Sequence, residues 1–153
     1  MNRAGFTLLE MLVVLAIIAI LAGLGFSGYL RWRAANTVLQ GAQEFATQIN
    51  RTRLSAKKTG TCWQLKVSAD TQYQVKKFTE NNCASGTAES TTSFSMPAGT
   101  KIARGTGTND ISFYSPHGTT DVGQTRYDVT WASNSTIKRE VYITSVLGRV
   151  IVK

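Results

Sequence analysis

The sequence predicts an α+β protein in which one long N-terminal helix, apolar in its first half and amphipathic in its second, packs on an antiparallel β-sheet domain. Three observations carry this reading. Residues 11–30 are 20 residues without a formal charge, enough at about 1.5 Å per residue to cross a hydrocarbon core about 30 Å thick. Ala35, Val38, Ala42, Phe45, Ile49 and Ala56, with Leu39 and Ala46 beside them, then recur at the i, i+3, i+4, i+7 spacing of a helix with one buried face. From Cys62 onward the apolar period falls to two, the spacing of half-buried strands.

The first 30 of the 153 residues are taken by the apolar helix and what precedes it. About 120 remain, enough for one small domain. Against 9 acids stand 17 lysines and arginines, a formal charge of +8. A basic surface of this size suits nucleic acid, anionic lipid or acidic partners without selecting among them.

A secretory signal peptide would follow an apolar stretch of about 7–15 residues with an A-x-A-like cleavage site, and no A-x-A occurs in the first 50 residues. Instead Gly5-Phe6-Thr7-Leu8-Leu9-Glu10 leads into the apolar run. Thr7 and Glu10 have the T-x-x-E spacing of a capping box. The acid is flanked by Leu8, Leu9 and Met11, close to a zone where an unpaired charge costs about 2–3 kcal/mol or more. No basic residue lies between Arg3 and Arg31, so the nearest cation would be a newly exposed amino group or one from a neighbouring chain. Arg3 favours an N-terminus inside, but Arg31 and Arg33 pull equally from the other end, so charge bias leaves the orientation open. Tyr29 and Trp32 fit an aromatic belt at the exit interface, with the two arginines reaching headgroups. Ala19, Gly23 and Ser27 form a row of small residues on one helix face, where a neighbouring helix would pack closely.

Gly5 followed by Phe6-Thr7-Leu8-Leu9-Glu10 and a long apolar helix resembles the class III signal of type IV prepilins and type II secretion pseudopilins. The resemblance implies cleavage between Gly5 and Phe6 by a membrane prepilin peptidase, which also N-methylates Phe6. It implies an assembly role for Glu10, whose carboxylate would neutralise the terminal amine of Phe6 in an adjacent subunit. In lipid, each of those two charges offsets the other's desolvation cost, and the pairing would set axial register. On this reading the chain divides into a leader at 1–5, the transmembrane half of the helix at 6–30, its amphipathic half at 31–59 and a C-terminal β-rich domain at 60–153. Removal of the leader takes away Arg3 and leaves a formal charge of +7.

The implied partners are the prepilin peptidase/methyltransferase, other pilins or pseudopilins in a filament, and an inner-membrane assembly platform. The implied location is the bacterial inner membrane, crossed once with the C-terminal domain outside the cytoplasm, before assembly into a pilus or pseudopilus. No cofactor is implied. The family's frequent proline late in this helix is absent, the two prolines being Pro97 and Pro116. Gly23, Gly25 and Gly28 would loosen the helix instead, each at about 1 kcal/mol relative to alanine.

Past Arg33 the helix carries Asn36, Gln40, Gln43, Glu44, Gln48, Asn50, Arg51 and Arg53 between its apolar positions. Lys57 and Lys58 suit its C-terminus and Gly60 its cap. From Phe6 to Lys58 it would be about 80 Å long if continuous. A small domain has no use for such a spine by itself, which favours a place in a bundle of many copies.

In the β-rich part, Trp63, Leu65 and Val67 alternate with Gln64, Lys66 and Ser68; Ser68-Ala69-Asp70-Thr71 reads as a turn into Tyr73, Val75 and a strand ending near Phe78. Residues 81–93, rich in Ser, Thr, Gly and Asn, read as a solvent-exposed loop. Strand pieces follow at 94–96, 101–103 and 111–114, the last two separated by Gly105, Gly107 and Asn109. Ser115-Pro116-His117-Gly118 is a further turn. Tyr127, Val129 and Trp131 alternate on a strand, and Val141, Ile143, Val150 and Val152 on two more, with Gly148 at the bend of a closing hairpin. The expected sheet is antiparallel and lies on the amphipathic helix. Under the pilin reading Cys62 and Cys83 lie beyond the membrane, where a disulfide is the default, and the first hairpin would bring them together. This layout, with F-Y-S-P-H-G in one turn and L-G-R-V in the last, resembles the H-type pseudopilins and the FimU/FimT-type minor pilins.

Catalysis is poorly served. The sole histidine, His117, stands in a turn with no serine in a G-x-S-x-G setting, and Asp110, Asp121 and Asp128 are scattered. Two cysteines and a distant histidine make a poor metal site. The run Arg104 to Asp110 has the glycines of a phosphate-binding loop but reads as a turn, since no G-K-[ST] occurs and no helix follows. Three functions stay open: a structural, priming or tip minor pilin of a type IV pilus; an H-type minor pseudopilin of a type II secretion system; and a DNA-binding receptor subunit for natural transformation. Some FimT-type minor pilins bind DNA through a C-terminal G-R-x-R loop. Here Gly148 and Arg149 match, Ile151 replaces the second arginine, and Lys138, Arg139 and Lys153 would add phosphate contacts.

Overall fold

The computed structural model describes residues 8–153, and the side chains of all of them except residues 24–27. Helix α1, Leu8–Thr59, crosses the division between two compact units, one ending at Ala34 and the other spanning Ala35–Lys153. Its sequence holds no proline, Glu10 stands in its first turn, and Lys57 and Lys58 complement the dipole in its last. Gly60, at φ +76°, caps it as expected, its amide bonding the Ala56 carbonyl at 3.3 Å.

Within Ala35–Lys153 the predicted stripe is the buried one: Val38, Ala42, Phe45, Ala46, Ile49 and Ala56 are all inside. Ala35 is only half-buried, and two polar or small positions complete the face in its place. Thr52 is buried because its hydroxyl donates to the Gln48 carbonyl at 2.8 Å, so no polar group is stranded. Gly41 is buried where the helix meets Met96 and Pro97.

Nine strands follow: β1 Trp63–Ala69, β2 Gln72–Phe78, β3 Ala88–Ser95, β4 Thr100–Thr106, β5 Asp110–Tyr114, β6 Thr119–Thr120, β7 Thr125–Trp131, β8 Asn134–Ile143 and β9 Val150–Val152. They form two antiparallel sheets rather than the single one expected, in the orders β3-β2-β1-β5-β6 and β4-β7-β8-β9. The sheets are stitched at two places, by the Ile102 amide on the Asp70 carbonyl at 2.6 Å and the Thr120 amide on the Val146 carbonyl at 2.8 Å. Phe45 of α1 touches both: its ring meets Tyr73 of one sheet at 5.1 Å and Tyr127 of the other at 5.3 Å, each edge to face. Leu65, Val75, Ile102, Ile111, Phe113, Val129, Val141 and Ile143 fill the rest of this core.

The expected loop at 81–93 is corrected: its second half is strand β3, paired to β2 from Gln72↔Ser95 to Phe78↔Ala88. β3 is the outer strand of its sheet and is exposed along its length except at Phe94, which stacks on Tyr73 at 5.4 Å. A strand held by backbone bonds on one side, with both faces wet, has the composition of a loop. The first hairpin turns on Asp70 and Thr71 alone, Ser68 and Ala69 belonging to β1. β4 and β8 run longer than the sequence pieces at 101–103 and from Val141 onward.

Cys62 and Cys83 are bonded, with Cα atoms 5.6 Å apart, and pack with Phe78 and Tyr114 in a small second core. The bond ties the start of β1 to the segment before β3 across 21 residues. Reduction, or Cys62→Ser with Cys83→Ser, is expected to destabilise Ala35–Lys153 by about 3 kcal/mol through the restored freedom of the unfolded chain; a thermal melt with and without reductant measures it.

Candidate functional site

The processing residues Gly5 and Phe6 lie outside the described residues, as does Thr7. Glu10 is exposed in the first turn of α1. From Leu8 to Leu21 the large apolar side chains are all exposed, an apolar surface on every side of the helix. Ala19 and Gly23 are exposed one helical turn apart, and a methyl at Gly23 would meet nothing within 4 Å. The side chain of Ser27, the third member of that row, is outside the described set.

The four cations expected at a DNA contact separate. Lys138, Glu140 and Tyr142 alternate on the outer face of β8, while Arg139 points with Val141 and Ile143 to the other face. Lys153 lies opposite Glu140 on the same outer face, their backbones bonded both ways, and its ammonium sits 5.2 Å from the centre of the Tyr142 ring. Asp128 of β7 also lies directly opposite Glu140, a like-charge pairing that would disfavour the register. Cations relieve it. Arg126 holds Asp128 with Nε 3.1 Å from Oδ1 and Nη2 donating to Oδ2 at 3.3 Å, and Lys138 Nζ donates to Glu140 at 2.8 Å. The Tyr142 hydroxyl donates to the other Glu140 oxygen at 2.5 Å. Bonds from Lys138 and Tyr142 pull the Glu140 carboxyl down to about 2, and the same bond to Glu140 raises Lys138. Lys138 is therefore committed to an acid of its own sheet.

That network carries a pH signature. A carboxyl lowered from 4.5 to about 2 by folding contributes stability in full above pH 4.5 and loses it as pH falls towards 2. Glu140→Gln should flatten the stability of Ala35–Lys153 across that window; acid melts of the two forms with the same slope would refute the assignment.

Arg149 belongs to a different group, one that the sequence did not show. It follows Gly148 in the turn between β8 and β9, and Gly148, at φ +65°, leaves so little room that a methyl there would come within 3.0 Å of the Phe113 ring and 3.3 Å of Arg53 Cδ. Gly118, at φ +64° after the proline turn, is pressed still harder: a methyl would stand 2.9 Å from Arg53 Cγ and 2.9 Å from Lys57 Cε. Arg53 Nε donates to the Gly118 carbonyl at 3.3 Å. Two left-handed glycines thus let two turns close on the last turns of α1 and gather Arg53, Lys57 and Arg149 at one end of the domain. Among the described residues no carboxylate forms an ion pair with any of the three. Their i, i+4 spacing on α1 was visible in the sequence, but the turns that join them are 60 and more residues away.

The acids weighed for catalysis are also placed. Asp110 and Asp121 line one cleft of about 440 Å³ on the outer side of β1 and β5, with Lys66 3.4 Å from Asp110 and the Tyr114 hydroxyl 3.4 Å from Asp121. Asp128 is bound to Arg126 on the other sheet, and His117 is exposed in its turn. Among the described residues no group of three His, Cys, Asp or Glu side chains is placed to hold a metal ion.

Residues 1–26 match the prokaryotic N-terminal methylation motif. No curated protein matches this chain by sequence. In structure it is similar to the type IV minor pilin FimU of Pseudomonas aeruginosa in two crystal forms. The first has a TM-score of 0.61 at 13% identity over 77% of this chain and 89% of that one; the second has 0.57 at 12% over 75% and 91%. It is also similar to the minor pseudopilin EpsH from the Type 2 Secretion System of Vibrio cholerae, with a TM-score of 0.54 at 12% identity over 76% and 95%. The chain thus opens on the prokaryotic N-terminal methylation motif and shares its fold with a type IV minor pilin and a type 2 secretion minor pseudopilin.

Proposed function

We propose that this protein is a minor subunit of a type IV pilus, working at the tip or in priming of the filament, and that its activity is assembly itself. Prepilin peptidase would cut after Gly5 and methylate Phe6, the apolar first half of α1 would hold the protein in the inner membrane with Ala35–Lys153 outside the cytoplasm, and the same half would pass into a bundle of pilin helices. The observation that carries this is the methylation motif over residues 1–26 leading into a helix whose apolar side chains are exposed all round. A type II secretion pseudopilus uses the same parts. The basic balance of the chain, suited to acidic partners outside the cell, favours the pilus. Mass spectrometry of the mature protein tests the reading: a chain beginning at Phe6 with one added methyl supports it, and an intact leader leaves only an anchored domain.

A DNA-receiving role is the second reading, and the gathering of Arg53, Lys57 and Arg149 without paired acids is what favours it. Three phosphate contacts would give a slope of about −2.7 in log affinity against log salt. Arg149→Ala is expected to weaken retention of duplex DNA by Ala35–Lys153 and to reduce that slope by about 1. Retention that ignores salt, or absence of retention at low salt, removes this reading.

A further inference from the structure

The turn that carries Arg149 has a second property. Among the described residues, the large apolar side chains left exposed beyond Trp32 are Leu54, Val146 and Leu147, at 61%, 59% and 61%. Val146 and Leu147 are adjacent in the turn between β8 and β9, and Leu54 follows Arg53 on α1. The turn is held in place from three sides: the Val146 carbonyl takes the Thr120 amide at 2.8 Å, the Gly148 amide bonds the Ser145 carbonyl at 2.8 Å, and Gly148 abuts Phe113 and Arg53. It is a fixed projection whose tip is aliphatic and whose base, at Gly148, meets Arg53, with Arg149 next in the chain and Lys57 one turn further along α1.

We infer that this end of the domain docks another protein, one whose contacting face has an apolar centre bordered by carboxylates. The inference rests on the reading of the chain as an assembly subunit and names the chemistry of one partner. An apolar centre within a charged rim is the anatomy of a protein interface. A nucleic acid backbone would use the three cations and leave the two aliphatic side chains in water. A second copy of this chain is a poor match, because the chain is basic, with 17 lysines and arginines against 9 acids, and five of those acids, Asp70, Glu89, Asp110, Asp128 and Glu140, are already within 4.0 Å of a lysine or arginine of their own chain. The partner is therefore a different, acidic subunit, and the charges would steer its approach while the aliphatic pair holds it.

The test uses the full chain in the bacterium that encodes it, with the photo-cross-linking residue p-benzoylphenylalanine in place of Leu147. The expected product is a light-dependent adduct with one other protein whose cross-linked peptide carries Asp or Glu beside an aliphatic residue. Lys57→Glu with Arg149→Glu should cut that adduct about tenfold or more, and changing the partner's carboxylates to lysine should restore it. Should the double reversal disturb folding, seen as a changed melting temperature, Arg149→Glu alone with the matched partner change replaces it. Adducts with nucleic acid, with a second copy of this chain, or with nothing overturn the inference, as does an adduct indifferent to both charge reversals. Glu10→Gln separates the two readings. If it blocks filament entry while the chain with native Glu10 gives no adduct at Leu147, only the docking fails; if it leaves filament entry unaffected while the chain with native Glu10 gives the adduct, only the assembly reading fails.

Discussion

Phe45→Ala is expected to bring Ala35–Lys153 to the edge of unfolding. Phe45 is fully buried and stands edge to face against both Tyr73 and Tyr127, so its ring is the one part of α1 shown to touch an aromatic of each sheet. Removing a buried phenylalanine costs about 3–5 kcal/mol, the transfer term plus the cavity that remains. Small domains are stable by about 5–15 kcal/mol in total, so the loss is a large share of the whole. Collapse around the hole is hindered because its walls come from three elements, and Tyr127 is also held through its hydroxyl to the Thr108 carbonyl at 2.8 Å. Burial already pushes the Tyr73 hydroxyl up to about 12 and raises that of Tyr127 further, so neither side chain is placed to ionise into the space. Denaturant titration of the two forms measures the difference. A loss under about 1 kcal/mol would mean that the helix and the sheets do not share one core.

Glu10→Gln is expected to leave folding and cleavage intact and to remove the protein from filaments. The substitution keeps the shape of the side chain, removes its charge and exchanges one acceptor oxygen for a donating amide nitrogen. If the carboxylate meets the methylated amine of Phe6 on a neighbouring subunit in lipid, loss of one partner leaves a buried ammonium uncompensated, at about 3–5 kcal/mol. At 1.4 kcal/mol per factor of ten, incorporation should fall by about a hundredfold or more. The measurement is the amount of the protein in sheared filaments against the amount in the membrane. Equal incorporation of both forms would refute the assembly role, and loss of the leader cut would show that Glu10 acts in processing instead. Glu10→Asp, which keeps the charge on a shorter arm, should fall between the two.

Much of α1 could be read directly because a helix face is a local pattern. Val38, Ala42, Phe45, Ile49 and Ala56 had to share one side whatever they packed against. The alternating strands β1, β2 and β7 were equally plain, since in each the more buried residues recur at every second position. β3 was not, because neither of its faces is buried and its pairing to β2 uses only backbone groups that every residue carries. Thr52 and Gly41 broke the stripe for a similar reason: what makes them tolerable inside is a bond to the preceding turn and the nearness of Met96 and Pro97, not their own hydropathy. Among the expected DNA contacts, chain neighbours Lys138 and Arg139 were assigned to one patch, yet adjacent residues of a strand face opposite ways.

By itself the sequence determined the order of parts: an N-terminal methylation motif, an apolar helix with an acid at its head, an amphipathic continuation and a strand-rich domain. Each follows from composition and period over neighbouring residues, where the physics is burial of a repeating face. The tertiary structure alone decided that the strands form two sheets, that Lys138 is spent on Glu140, and that Arg149 stands with Arg53 and Lys57 beneath an exposed Val146 and Leu147. These depend on contacts between segments dozens of residues apart, made possible by close backbone approach at Gly118 and Gly148, and no local period encodes which distant side chain a turn will meet.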